Sequence, residues 1–520
     1  MEIIERHRQL IPRWHTSKKL TQLHLPKQSP NSDPITEEEV HAYRLREAHD
    51  RWESKRNISN AIELLSKIKL IGKNHPSKNE LEAFLLHHRT ELSESTKDLV
   101  APYLKQIDDA MIYSTSEKKV YSIINNLKRL VRTHPNDSLL WNDLAFYYAI
   151  IREHKKSHKC MTIAFTTSRK HAFIARAYAR LLINQDRPDD AIEVLKSTNL
   201  SNTNPLIASA ELAIRSQFQI GKVNLKRAER ILEAGQINER FKSELFAAVG
   251  TIEIESGATN QAKRNLRSSL LLPTENTVAQ IKWLENRFKT IIDQKSDILV
   301  PSLEGQVIEL YANSEYRKCR DTLLQLHAFE PFSDRAIVDA GYITMVALNE
   351  PTEAIEIYNL HPIITARSFM ATNNKVVALL EIGENDQIDT LLYHQRSLIK
   401  NDRERMVYTA TLAMYLYKLG LYDEGRKHYH HALTYFEQHQ ESSDLGRLLY
   451  YFGKEEIKVN EKMGKELLQK AKAIFLKSGS TNEYIGRITG ILEQKQSTFS
   501  EMLNPITNTW ISGKDIFKLK

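Results

Sequence analysis

Trp141-Asn142-Asp143-Leu144-Ala145-Phe146-Tyr147-Tyr148 is the stretch on which the reading of this chain turns. Trp141, Leu144, Ala145 and Tyr148 fall at the three- and four-residue steps that put side chains on one face of a helix. Ala145 is the small member of that stripe. A small residue among bulky ones marks a place where a second helix crosses closely. His134-Pro135-Asn136-Asp137 stands just ahead of the helix and reads as a turn. The stretch therefore predicts a helix that follows a turn.

The spacing recurs at a period of about 34 residues. One period beyond Ala145 lies Ala179, followed by Ala191 and Leu195. Phe246, Val249, Gly250, Ala262 and Leu266 repeat it, as do Leu412, Ala413, Gly420, Gly425, Tyr429 and Ala432. Cys319, Leu323 and Pro331 form the back half of another unit, with Gly341 and Ala354 in the next. Near the N-terminus, Leu45, Ala48 and Trp52 suit a first helix, and Ala61, Leu65 and Ile68 a second. The string W-x2-L-A-x2-Y at Trp141–Tyr148, with Pro135 ahead of it, resembles the tetratricopeptide repeat (TPR) family, whose signature is W-x2-L-G-x2-Y, then A-x3-F, then P. The resemblance covers roughly residues 40–475 and is degenerate. Units around 85–125, 205–235, 275–300 and 365–395 are placed by helical spacing alone. It implies an all-α fold, a right-handed superhelical solenoid of TPR-like antiparallel helix pairs. It also implies a protein that holds another molecule rather than transforming one.

The chain divides accordingly. Residues 1–35 form a basic N-terminal arm, whose Pro12, Pro26 and Pro30 discourage a continuous helix. Its Trp14 and Leu20 are read as docking on the protein's own first repeat, the alternative being a partner. Thr36-Glu-Glu-Glu39 is a capping box that opens the helical region. Residues 36–116 are read as TPR-like hairpins, 117–300 and 301–478 as TPR repeats, and 479–520 as a capping helix and C-terminal tail. In that last part Tyr484, Ile485, Ile488 and Ile491 carry a helical stripe that would cover the open end of a solenoid. Ile511–Lys520 reads as a mobile tail or docking segment, and 288–302 as a looser joint.

Composition narrows the class. With 17 glycines and 15 prolines in 520 residues, there is little turn-rich sequence, and no set of alternating apolar runs predicts a sheet. No apolar run is long enough for a membrane span. MEIIERHRQL lacks the apolar core of a signal peptide. Cys160 and Cys319 are too few for a disulfide framework, so a reducing cytoplasm is the expected compartment. The net charge of +8 comes from one block: residues 118–187 hold 14 Lys+Arg against 4 Asp+Glu, leaving 59 against 61 elsewhere.

Catalytic and cofactor patterns are not found. The chain lacks a phosphate loop, G-x-G-x-x-G, H-E-x-x-H and C-x-x-C, and no cofactor or metal is expected. His428 with His431, and His154 with His158, share helix faces, but each pair lacks further ligands, and lysines and arginines surround the second. Arg129/His134, Arg152/His158 and Arg426/His431 meet an arginine-then-histidine spacing that resembles HEPN-type ribonucleases. Leu130 departs from that family's polar residue after the arginine. A HEPN-like ribonuclease is thus a remote alternative to a non-enzymatic protein.

A TPR stack presents a concave groove lined by the first helix of each pair. The polar positions there give Asn142, Asp143, Tyr147, Arg176, Arg180, Asn373, Asn374, Lys375, Tyr408 and Tyr415 as candidate partner contacts. The leading expectation is an adaptor, scaffold or regulatory subunit that binds a peptide or another protein of the same complex. The alternative is nucleic-acid binding through the basic patch Arg152, Lys155, Lys156, Lys159, Arg169 and Lys170, with Tyr121, Phe146, Tyr147 and Phe173 interleaved.

Overall fold

A computed structural model describes residues 13–17, scattered residues between 45 and 68, residues 77–87, and 117–493 apart from 235–236, 238, 289–301, 441 and 479–481. The capping box at Thr36, Leu20, most of the joint at 288–302 and the segment after 493 lie outside the described residues. Among the described residues every regular element is a helix, and no strand occurs.

The helices run in order along the chain. They are α1 (Lys78–His87), α2 (Glu117–Thr133), α3 (Ser138–Ile150), α4 (His154–Thr167), α5 (Ala172–Asn184), α6 (Pro188–Ser197), α7 (Pro205–Phe218) and α8 (Leu225–Glu233). There follow α9 (Glu239–Glu255), α10 (Thr259–Ser269), α11 (Glu275–Phe288), α12 (Leu303–Ala312), α13 (Tyr316–Phe329) and α14 (Arg335–Tyr342), the last continued by a π-helical turn at Ile343–Ala347. The remainder comprises α15 (Pro351–Leu360), α16 (Pro362–Arg367), α17 (Phe369–Ile382), α18 (Ile388–Arg396), α19 (Asp402–Lys418), α20 (Tyr422–Gln438), α21 (Ser442–Glu456), α22 (Glu461–Ser478) and α23 (Asn482–Glu493).

Local chemistry sets the pairs. Asp137 caps α3, its carboxylate accepting from the amides of Leu139 at 2.9 Å and Leu140 at 3.3 Å. The Trp141 indole donates to the Pro135 carbonyl at 2.8 Å, which ties the helix to the turn before it. α3 then packs on α4, α9 on α10, α19 on α20 and α21 on α22 as antiparallel neighbours. Close crossing requires small residues at the contacts. A Cβ at Gly250 would lie 2.7 Å from the Leu266 side chain of the partner helix, and one at Gly341 would enter the Tyr358 ring. Ala145, Ala179, Ala191, Ala413 and Ala432 are buried at such crossings.

The pairs stack so that first helices touch first helices. α3, α5, α7, α9 and α11 form one such row, and α14, α17, α19 and α21 a second. Rows of first helices of this kind form the inner wall of a helical-repeat solenoid. Ala48, Trp52, Ala61, Leu65 and Ile68 build a separate small core with Leu81 and Leu85 of α1. No helix among the described residues is long and apolar enough to cross a membrane.

Two segments depart from simple nearest-neighbour stacking. Trp14 joins the core of α2–α7, and so does Phe332 from the turn between α13 and α14. The sequence placed Trp14 on the first repeat. It lies instead between α3 and that distant turn, because Asn142 and two phenylalanines complete its surroundings there. At the other end α23 packs on α22 and reaches back to the π-helical turn.

Candidate functional site

The N-terminal half of the inner wall is filled by the chain itself. Trp14 is fully buried, with ring centroids 5.2 Å from Phe146 and 5.0 Å from Phe332. Its indole N–H donates to the Asn142 side-chain oxygen at 2.9 Å. The Asn142 amide donates to the His15 carbonyl at 3.1 Å. Asp143 accepts from the Ser17 amide at 2.7 Å and the Ser17 hydroxyl at 2.6 Å. Asn142 and Asp143, two groove candidates, therefore hold residues 14–17.

Arg13 extends this contact into a buried ionic network. It pairs with Glu275 at the start of α11 at 3.0 Å and with Glu304 at the start of α12, and donates to Asn276 at 3.2 Å. Arg335 bridges Glu304 at 3.4 Å and Glu330 at 3.5 Å. Arg180 of α5 pairs with Glu330 at 2.9 Å, and Arg176 with Glu244 of α9. Burial disfavours the charge on Glu330, but Arg180, Arg335 and Arg13 overcome it and hold this carboxyl at about 2. Burial likewise opposes the charge on Arg13, yet Glu304, Glu275, Glu330 and Glu244 raise its pKa. Among the groove candidates of this half, Arg176 and Arg180 thus meet the protein's own carboxylates. Tyr147 stands half-buried beside Phe146.

The C-terminal half of the wall is built differently. A cavity of about 110 Å³, partly open, lies among α14, α17, α19, α20 and α21. Met345, Met370, Met414, Val377 and Tyr342 line it, with Asn373, Asn374, Asp444 and Arg447 as polar members. Asn373 is fixed by two donors, Gln395 and Thr411, each at 2.8 Å, and joins α17 to α18 and α19. Asp444 accepts from Arg403 at 2.8 Å and Arg447 at 3.2 Å, and Arg447 lies 5.4 Å over the Tyr342 ring. Burial lowers the Lys375 pKa and raises that of Tyr408. Burial and a hydrogen bond to Asp389 raise that of Tyr415.

α23 crosses this region. Tyr484 forms part of the cavity wall, stacked 4.9 Å from Phe475. Glu483 accepts from the Tyr311 hydroxyl at 2.8 Å. In a π-helical turn some carbonyls leave the regular ladder, and Arg487 donates to the Met345 carbonyl there at 2.8 Å. Tyr342, Met345, Arg447, Tyr484, Glu304 and Glu330 were not singled out as site residues from the sequence. Trp14 and the stripe at Tyr484–Ile491 were the signals that pointed toward the two docking segments.

The basic block divides between two surroundings. Lys155, Lys156 and Lys159 of α4 are exposed, as are Arg169 and Lys170 beyond it. Lys128, Arg129 and Arg132 of α2 are exposed too, with Tyr121. Arg152 instead turns inward to Asp334 at 3.7 Å. Phe146 is buried, and Phe173 half-buried.

Other sequence candidates separate. Arg152 faces Asp334 while His158 lies against Tyr178, and Arg426 pairs with Glu456 at 2.7 Å. Among the described residues no group of three or more His, Cys, Asp or Glu is placed to hold a metal ion. Cys160 and Cys319 are buried and free, and burial pushes their thiols up to about 11 and about 12. His327 and His361 form a buried edge-to-face pair at 4.8 Å. Burial, His361 and Arg152 push His327 well below the ordinary range, and burial takes His361 to about 4.

No protein-family model and no curated protein matches the chain. Among solved structures it is similar to the chain titled "Crystal structure of APC/C hetero-tetramer Cut9-Hcn1", at 10% identity and a TM-score of 0.34, with 88% of each chain covered. It is also similar to "Human IFIT1 dimer with PPP-AAAA", at 11% identity and a TM-score of 0.27, covering 88% of this chain and 96% of that one.

Proposed function

We propose that the protein is a non-enzymatic binding module that holds a segment of a partner protein against the C-terminal half of its inner wall. The observation that carries this reading is the cavity lined by Met345, Met370 and Met414. A concave, mostly apolar hollow with a few convergent polar groups is the usual form of a ligand site. Methionines adapt to the shape of an inserted apolar side chain. In this reading one apolar anchor of the partner enters the cavity. Asn373 and Asn374 in its wall, with Lys375, Tyr408 and Tyr415 on the same helices, serve the partner's backbone and polar groups.

A displayed random-peptide library panned on the full chain tests it. The natural chain should enrich peptides that share one apolar anchor. Val377→Phe, which fills the cavity, should weaken the enriched peptides by about ten-fold or more while helix content stays the same. No enrichment on the natural chain, or equal binding by Val377→Phe, would refute the reading.

A second reading rests on the outward charges of α2 and α4. Lys128, Arg129, Arg132, Lys155 and Lys159 are exposed, and so is Tyr121 of α2; exposed cations and an exposed ring suit single-stranded nucleic acid. Changing Lys155, Lys156 and Lys159 to Glu should then make the slope of log K against log salt shallower by roughly 2. Anisotropy with a labelled single-stranded RNA measures this, and unchanged binding ends the reading.

A further inference from the structure

The site that holds Arg13–Ser17 has the features of a receptor for a linear peptide. The segment is recognised by the Arg13 and Trp14 side chains, the His15 carbonyl, and the Ser17 amide and hydroxyl. Residues 13–16 belong to no helix or strand. Every one of these polar contacts instead spans between 126 and 291 positions in sequence.

The ion pairs of the cradle point the same way. Arg176, Arg180 and Arg335 of the body pair with Glu244, Glu330 and Glu304. Arg13 pairs with Glu275 and shares Glu304 with Arg335. Glu304 has a fully buried side chain, and a buried carboxylate in a low-dielectric interior demands a cation. The slot between Phe146 and Phe332 likewise needs a flat aromatic side chain with one N–H to meet Asn142.

We propose that this cradle is a receptor site for a linear peptide carrying adjacent Arg and Trp, with a hydroxyl residue three positions after the Trp. The chain's own Arg13–Ser17 is its resident and exchangeable occupant. A partner presenting the same side chains enters by displacing it. The site is separate from the methionine-lined cavity and stands or falls independently of it.

The test uses the full chain carrying Arg13→Ala and Trp14→Ala together, and a fluorescein-labelled peptide of residues 10–20. The resident segment competes with any peptide added to the natural chain, so emptying the cradle should strengthen peptide binding by about ten-fold or more. A peptide with Trp14→Ala should bind neither chain. Equal binding to both chains, no binding to either, or equal binding of the Trp-less peptide would overturn the proposal. If the double variant fails to fold, the natural chain with a protease site inserted after Lys27 gives the answer. The cut N-terminal piece should co-elute with the remainder and be displaced by excess peptide. A piece that leaves on cutting, or that excess peptide does not displace, would equally overturn it.

Discussion

The two halves of the inner wall are made from the same kind of helix and end in opposite states. In the N-terminal half the wall carries Asn142, Asp143, Arg176, Arg180 and Glu244, and all of them meet groups from elsewhere in the chain. In the C-terminal half it carries Val338, Met345, Met370, Val377 and Met414, and a hollow remains. Polar inner positions draw in distant segments because a buried charge or amide without a partner is costly. Flexible apolar side chains tolerate an unfilled space at smaller cost, since only dispersion contacts are lost.

The largest expected effect comes from emptying the sealed half. Trp14→Ala should lower unfolding stability by about 3–5 kcal/mol. Chemical denaturation measures the loss, and hydrogen exchange should place it in α3, α5 and residues 330–334 rather than in α19–α22. Equal loss of protection in both halves would break the contrast. Arg180→Met should cost about 3 kcal/mol, because it leaves Glu330 with a weaker set of partners in a buried site. Glu330→Gln added to it should recover part of that loss.

Acid should act at the seam between the halves. His361 titrates at about 4 in the fold and at about 6.5 when unfolded. The unfolded chain therefore binds the extra proton first, and stability present above pH 6.5 is lost as pH falls toward 4. The loss should reach about 3 kcal/mol at most. Below that, Glu330, held at about 2, adds a further decline. Denaturation midpoints measured from pH 7 to 4 should fall less steeply in His361→Gln.

The smallest effects sharpen the contrast most directly. Ala145→Leu, where Ser157 donates to the Ala145 carbonyl at 2.7 Å and α3 meets α4, should destabilise by about 1–3 kcal/mol through overpacking. Ala410→Leu, at the cavity, should stabilise by about 1 kcal/mol by filling space. Thermal melts of the two variants should move in opposite directions.

The helix pairs were legible because their signals are local. Trp141–Tyr148, the small residues one period away and the turn at His134–Asp137 all act within a few turns of helix. The site was less legible because its decisive contacts are not local. Arg152, Arg176 and Arg180 belong to a basic block by sequence, yet their carboxylates, Asp334, Glu244 and Glu330, all lie outside it. A window of charge cannot reveal that. Glu330 and Phe332 flank Pro331, which the sequence marks only as part of a repeat unit, and both are buried, Glu330 against Arg180, 150 positions upstream. The second docking segment was half visible. The stripe at Tyr484–Ile491 predicted a terminal helix, but not that Arg487 would reach Met345.

Both ends of the described chain are moored to its middle: Arg13 at Glu304, and Arg487 at the Met345 carbonyl. Linear repeat arrays ordinarily peel from their tips, one unit after another. Here a molecule stretched between its termini would first load these two moorings in shear, and the outermost pairs would stay shielded until a mooring slipped. A single-molecule pulling trace should accordingly begin with one tall rip rather than a staircase of small steps.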